Sequence, residues 1–159
     1  MNANIIILKP VTNDNFHEIA KLSDSLTDQQ KKCVAPNVYS LAQAYLNFEQ
    51  AWPRAIYLGE TPIGFLMLDI DPEDIDKKEN AYYLWRFMIA RDYQGKGYGK
   101  KALDLIINQC REDQKSVLYT SCDMEEEMPY RFYINYGFID TGVFDDDEKV
   151  LLLNLSSKK

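Results

Sequence analysis

Leu84-Trp-Arg-Phe-Met-Ile-Ala-Arg-Asp-Tyr-Gln-Gly-Lys-Gly-Tyr-Gly-Lys-Lys-Ala-Leu103 is the stretch on which the fold turns. Its apolar run ends at Ile89. Gly95, Gly97 and Gly99 follow within one short turn. Leu103, Ile106, Ile107 and Cys110 then recur at helical spacing. The pattern predicts a strand that enters a helix through a turn almost without side chains. The first turn of a helix leaves N–H groups unpaired, and together with the helix dipole they favour an anion. Glycines let that anion approach the backbone. Lys96, Lys100 and Lys101 add positive charge in an otherwise acidic chain. The turn therefore reads as a pyrophosphate cradle.

Two familiar phosphate loops do not fit. The triphosphate loop needs G-x-x-x-x-G-K-[ST], and the dinucleotide fingerprint needs G-x-G-x-x-G. Here the glycines run G-x-G-x-G.

Gln94-Gly95-Lys96-Gly97-Tyr98-Gly99 instead resembles the Q/R-x-x-G-x-G/A coenzyme A motif of the GNAT N-acetyltransferase superfamily. A second superfamily motif, F-Y-x-x-x-G-F, is matched by Phe132-Tyr133 with Gly137-Phe138. Within the superfamily, Val34-Ala-Pro-Asn-Val-Tyr-Ser40 and Tyr83-Leu-Trp-Arg-Phe-Met-Ile89 are similar to bacterial spermine/spermidine acetyltransferases. The resemblance covers nearly the whole chain.

The rest of the sequence bounds the answer. A length of 159 residues suits one domain, 1–159, with a sizeable core. No apolar run approaches the ~20 residues that span a bilayer. Met1 to Ile7 has no basic region, so no signal peptide is expected, and a cytoplasmic protein is. Cys33, Cys110 and Cys122 are odd in number and lack metal-ligand spacing, which predicts reduced structural thiols and no metal. A net charge of −7 argues against nucleic acid and anionic membranes as partners. It suits a cationic substrate, although acidity also serves solubility. His17, the single histidine, reads as a surface residue.

In chain order, Asn4–Leu8 is a predicted strand, and Phe16, Ile19 and Ala20 form one helix face. Thr27 and Gln30 have capping-box spacing for a short helix. Ser40 and Gln43 have it for a longer one, with Leu41, Ala44, Tyr45 and Phe48 on its face. Ala55–Leu58 and Ile63–Asp69 form a hairpin. The acid-rich segment from Asp69 to Glu79 is either a solvated loop or an acidic lip that attracts a polycation. Tyr82–Ile89 is the central strand, and Ser116–Ser121 follows the glycine helix. Asp123 can cap a helix carrying Pro129, Phe132, Tyr133 and Tyr136. Phe138–Phe144 and Val150–Leu155 are final strands joined by a turn over Asp145-Asp146-Asp147-Glu148, and 156–159 is a tail. This order suits an α/β fold, a mixed central sheet of six to seven strands with helices on both faces, which is also the superfamily's order.

The resemblance implies direct acetyl transfer from acetyl-coenzyme A to an amine, with a polyamine as first choice. Aminoglycosides, peptides and small xenobiotic amines are other acceptors of the superfamily. The resemblance places Gln94 to Lys100 at the pyrophosphate and Phe87, Met88 and Ile89 at the pantetheine arm. It makes Tyr133 the general acid, with Tyr130 and Tyr136 as neighbouring alternatives. Tyr39 and Glu49 fall in the region that lines the acceptor site. Many relatives carry a glutamate base on the central strand, but here Leu84-Trp85-Arg86-Phe87 has no carboxylate. Asp69 or Glu49 acting through water remains open. A non-catalytic acyl-coenzyme A sensor would need the glycine turn but no acid. Homodimers are common among relatives.

Overall fold

The computed structural model describes residues 4–124 and 127–156. Seven strands form one mixed sheet: β1 (Ile6–Lys9), β2 (Ala51–Leu58), β3 (Thr61–Asp69), β4 (Ala81–Ile89), β5 (Val117–Asp123), β6 (Ile139–Asp145) and β7 (Glu148–Asn154). Their spatial order is β1-β2-β3-β4-β5-β7-β6. β1 to β4 pair antiparallel, β4 and β5 pair parallel, and β5, β7 and β6 pair antiparallel. The helices are α1 (Phe16–Leu22), α2 (Asn37–Leu46), α3 (Tyr98–Glu112) and α4 (Glu127–Tyr136).

The sheet is covered on two faces, and β3 shows why. Ile63, Leu66 and Leu68 join a core with Leu103 and Ile106 of α3 and Tyr133 of α4. Phe65 and Met67 join a second core with Ile19 of α1 and Ala44 of α2. A strand buried on both faces reads as a continuous apolar run rather than an alternation. α3 contributes Ala102, Leu103, Ile106, Ile107 and Cys110, all buried. Each large aliphatic among them is worth about 1.5–3 kcal/mol of burial. Cys110 and Cys122 are buried free thiols, raised by that burial to about 12 and about 11.

Several local expectations change in the folded chain. The Thr27–Gln30 box forms: the Thr27 N–H donates to Gln30 Oε1 and the Gln30 N–H donates to Thr27 Oγ1, both at 3.1 Å. The Ser40–Gln43 box does not form. α2 begins at Asn37 behind Pro36, whose fixed φ suits a helix start. The Asn37 N–H finds its partner in the Ser23 hydroxyl, at 2.9 Å. Ser40 is then inside the helix and fully buried, facing the sheet. Phe48 lies beyond the helix end and is 74 % exposed.

β2 starts at Ala51 and so includes Pro53. Proline is tolerated there because β1 pairs with β2 only from Ala55 onward, leaving a local edge. Asp123 closes β5 instead of capping α4, and residues 125 and 126 before that helix lie outside the described residues. The last turn is shorter than expected. Only Asp146 and Asp147 form it, with Asp146 left-handed at φ 54°, and Asp145 and Glu148 are paired strand residues. Of the expected tail, 157–159 also lies outside the described residues.

Candidate active site

β4 and β5 part company midway. They pair from Ala81 with Val117 to Leu84 with Thr120, and no further. Beyond that point β5 continues beside β7 alone, to Asp123. Along Trp85 to Ile89, the backbone groups that do not face β3 are therefore turned to an open wedge. A bulge marks the opening, since Met67 pairs with Arg86 and Leu68 with Leu84, leaving Trp85 as the extra residue. Bulges re-aim side chains in this way and gather beside active sites. Thr120 Oγ1 donates to the Leu84 carbonyl at 3.1 Å and closes the vertex.

The glycine turn lies just past the open end of β4. Gly97 is the N-cap of α3, left-handed at φ 86°, and no side chain caps the helix. Gly95 is also left-handed, at φ 74°. A Cβ added at either position would meet nothing within 4 Å. The glycines thus keep the backbone clear of side chains at a helix start, which fits a diphosphate. Lys96 and Lys100 are exposed beside it. Gln94 acts inside the protein: its Nε2 donates to the Ile89 carbonyl at 2.8 Å, and its Oε1 accepts from Gln30 at 2.9 Å. Its side chain ties the turn to the end of β4. Tyr98 packs against the α3 core, with its ring 6.5 Å from Tyr93. Gly99 faces the Phe132 ring, which in turn stacks on Phe87 at 6.0 Å. Met88 is buried towards α1 and α2, while Phe87 and Ile89 face α3 and α4.

The three tyrosines of α4 separate clearly. Tyr130 donates to Asp140 at 2.8 Å and Tyr136 to Asp104 at 2.6 Å. The bond to Asp140 shifts the Tyr130 phenol up, and burial followed by the bond to Asp104 shifts Tyr136 up, so both keep their protons. Tyr133 has no carboxylate partner among the described residues. It is 7 % exposed and lies against Thr120 at the vertex of the wedge. Burial is the main cause that pushes its phenol up, with Cys122 and Glu148 acting in the same direction.

The acceptor-side expectations divide. Tyr39, exposed on the first turn of α2, is close enough to Arg86 to act on its charge. Glu49 is exposed between α2 and β2. Asp69 pairs with Tyr83 on the closed side of the vertex, and its Oδ1 accepts the Asp71 N–H at 2.9 Å. Burial raises its pKa, and its charged neighbours are Asp71, Glu73 and Lys77. The segment beyond it serves its own turn: Asp76 accepts the Lys78 N–H, Lys77 bonds Asp71, and Tyr119 bonds Glu79. Asp69 thus stands beside Tyr83 where β4 and β5 are still paired, Glu49 lies on the loop that leads into β2, and Tyr39 lies near Arg86 on the open stretch of β4.

Two groups there carried no sequence signal of their own. Arg86 Nε donates to Ser40 Oγ at 3.0 Å and its Nη2 to Gln43 Oε1 at 2.8 Å, so α2 holds the guanidinium. Glu148 sits at the start of β7, with Oε1 accepting from Ser121 Oγ at 2.6 Å. Among the described residues no group of His, Cys, Asp and Glu could hold a metal ion. None of the described helices is long and apolar enough to cross a membrane.

The chain belongs to the acetyltransferase (GNAT) family, whose model matches residues 19–138, and it is an acetyl-transferring enzyme. It is 36% identical to the spermine/spermidine N(1)-acetyltransferase of Bacillus subtilis (strain 168), over 94% of this chain and 99% of that protein. Two solved structures share the fold. An acetyltransferase from Thermus thermophilus matches with a TM-score of 0.72 at 21% identity, over 98% of this chain and 100% of that one. Spermidine N-acetyltransferase from Vibrio cholerae, in complex with CoA and spermine, matches with a TM-score of 0.70 at 13% identity, over 95% and 96%.

Proposed function

We propose that the protein moves the acetyl group of acetyl-coenzyme A onto a primary amine of a polyamine, spermine or spermidine, by direct attack within a ternary complex. The observation that carries the acceptor class is the end-to-end 36% identity to a spermine/spermidine acetyltransferase. The open glycine turn supports the cofactor, since a diphosphate has room there that any side chain would take. Acetyl-coenzyme A, when bound, supplies the acetyl group as a thioester.

The chain's own residues do the rest. The N–H groups from Gly95 to Lys100 hold the diphosphate, with Lys96 and Lys100 adding charge. The β4 edge from Phe87 to Ile89 borders the wedge, and those of its backbone groups that neither β3 nor Gln94 takes up fix the thioester relative to the amine. Tyr133 gives its proton to the departing sulfur. An alkylamine with a pKa near ~10.4 is almost wholly ammonium at pH 7, so the acceptor side must favour its loss of a proton.

The test is release of free coenzyme A thiol with spermine, spermidine, putrescine, an aminoglycoside and a lysine peptide as acceptors. Turnover confined to spermine and spermidine is expected. Turnover on the aminoglycoside or the peptide alone would replace the acceptor. Tight acetyl-coenzyme A binding without turnover on any amine would favour a sensor.

Gly97→Ala checks the cradle separately. The left-handed φ costs an alanine about 1–2 kcal/mol of stability. The larger effect is on binding, because the methyl enters the space assigned to the diphosphate. Loss of one charge-assisted hydrogen bond there raises the KM for acetyl-coenzyme A about 10- to 100-fold, with the KM for the amine unchanged.

A further inference from the structure

We propose that Glu148 is the carboxylate that receives the cationic acceptor, on the face of the wedge opposite Tyr133. The inference rests on the amine-acetyltransferase reading above and adds the residue that selects the amine. Side chains alternate along a strand. Leu118 and Cys122 of β5 point into the α3/α4 core, and Tyr133 reaches Thr120 from that same side. Ser121 points the other way, and Glu148 goes with it through their 2.6 Å hydrogen bond. Ser121 is also the first residue of β5 beyond the vertex. The acid tyrosine and the carboxylate thus stand on the two sides of one opening. An amine entering from the Glu148 side can meet a thioester lying in the wedge.

The neighbours of Glu148 suit an alkylammonium chain. Tyr83, which senses Glu148, stacks at 6.3 Å on Tyr119, which lies farther along the same face, and offers ring surface to methylenes and cations. Tyr83, Arg86 and Tyr133 all feel the charge of Glu148. Among the described residues that sense Glu148, Arg86 is the group that would repel a cation. Its bonds to Ser40, Gln43 and the Trp85 carbonyl turn it towards α2, and it makes no ion pair with Glu148. The Ser121 hydroxyl leaves Glu148 Oε2 without a hydrogen bond or ion pair among the described residues. In register, Asp123 and Asp145 lie across from it.

The experiment compares wild type, Glu148→Gln and Asp146→Asn, by steady-state kinetics and by calorimetric binding of spermidine. Asp146 lies in the exposed turn, and its asparagine variant removes the same charge. Asparagine also tolerates the left-handed φ. The glutamine of Glu148→Gln still accepts from Ser121, so folding is kept. The expected result is a KM and Kd for spermidine about 10- to 100-fold higher in Glu148→Gln alone, with the KM for acetyl-coenzyme A unchanged. An unaltered KM and Kd, with only a lower Tm, would make Glu148 a counter-charge for Arg86 and overturn the inference. If wild type turns over another cationic amine in place of polyamines, the same comparison on that amine still decides Glu148, while the polyamine reading alone falls. Absence of binding of any cationic amine to wild type overturns both.

Discussion

Tyr133→Phe is expected to lower kcat by about 10²–10⁴-fold while acetyl-coenzyme A binds as to wild type. The phenol lies at the vertex of the wedge, where β4 and β5 separate, and contacts Thr120 there. The substitution removes one oxygen from a buried ring that also packs edge-on against Phe132 and Phe138. The ring packing is unchanged, so stability shifts by no more than about 1–2 kcal/mol. Tyr130→Phe and Tyr136→Phe serve as comparisons. Each loses a hydrogen bond to a carboxylate, to Asp140 or Asp104, and should lose stability with little change in kcat.

The pH profile follows from the same geometry. Burial raises the Tyr133 phenol above its usual value, so the acid form persists while the acceptor amine deprotonates. Activity should therefore climb with pH towards the amine's own pKa, ~10.4 for a simple alkylamine, with no earlier fall from loss of the acid. A wild-type alkaline limb that vanishes in Tyr133→Phe would show a lowered phenol instead. Unchanged kcat in Tyr133→Phe would hand the proton transfer to solvent.

Gly64→Ala should be the most damaging methyl group that can be added to the sheet. Gly64 pairs with Ile89 across β3 and β4. A Cβ there would stand 2.5 Å from the Met88 carbonyl oxygen, with Ile89 Cδ1 at 3.1 Å and Ile56 Cδ1 at 3.2 Å. The side chains can turn aside, but the carbonyl belongs to the backbone of β4, so the strands must separate. Overpacking of this kind costs about 1–3 kcal/mol. At ~2–4 °C per kcal/mol for a chain of this size, Tm falls by several degrees. Met88 and Ile89 border the wedge, so the KM for acetyl-coenzyme A should rise as well. A variant with wild-type Tm and kinetics would show that β4 can shift without consequence, and that its position does not set the site.

Much of the cofactor side was legible because its information is local. A strand, a turn with three glycines and an apolar helix face lie within one short run from Leu84 to Cys110. Spacing alone carries them. The Thr27–Gln30 box was legible for the same reason, since donor and acceptor are three residues apart. The Ser40–Gln43 box has the same spacing and failed, because both side chains are engaged by Arg86, 46 and 43 positions away. A tertiary partner outweighed the local one.

The sequence by itself determined the family, the order of strands and helices, the glycine turn and a set of tyrosines near the last helix. These rest on periodicity and on motifs whose members are neighbours in the chain. Only the tertiary structure decided where β4 and β5 part, which tyrosine faces that opening, and that a carboxylate stands across from it. Glu148 ends a run of four acids that reads as a solvated turn. A two-residue turn puts it in a strand instead, and register with β5 aims it at Ser121, 27 positions earlier. Strand register is set by pairing between distant segments, and shifting it by one residue would turn the side chain to the other face.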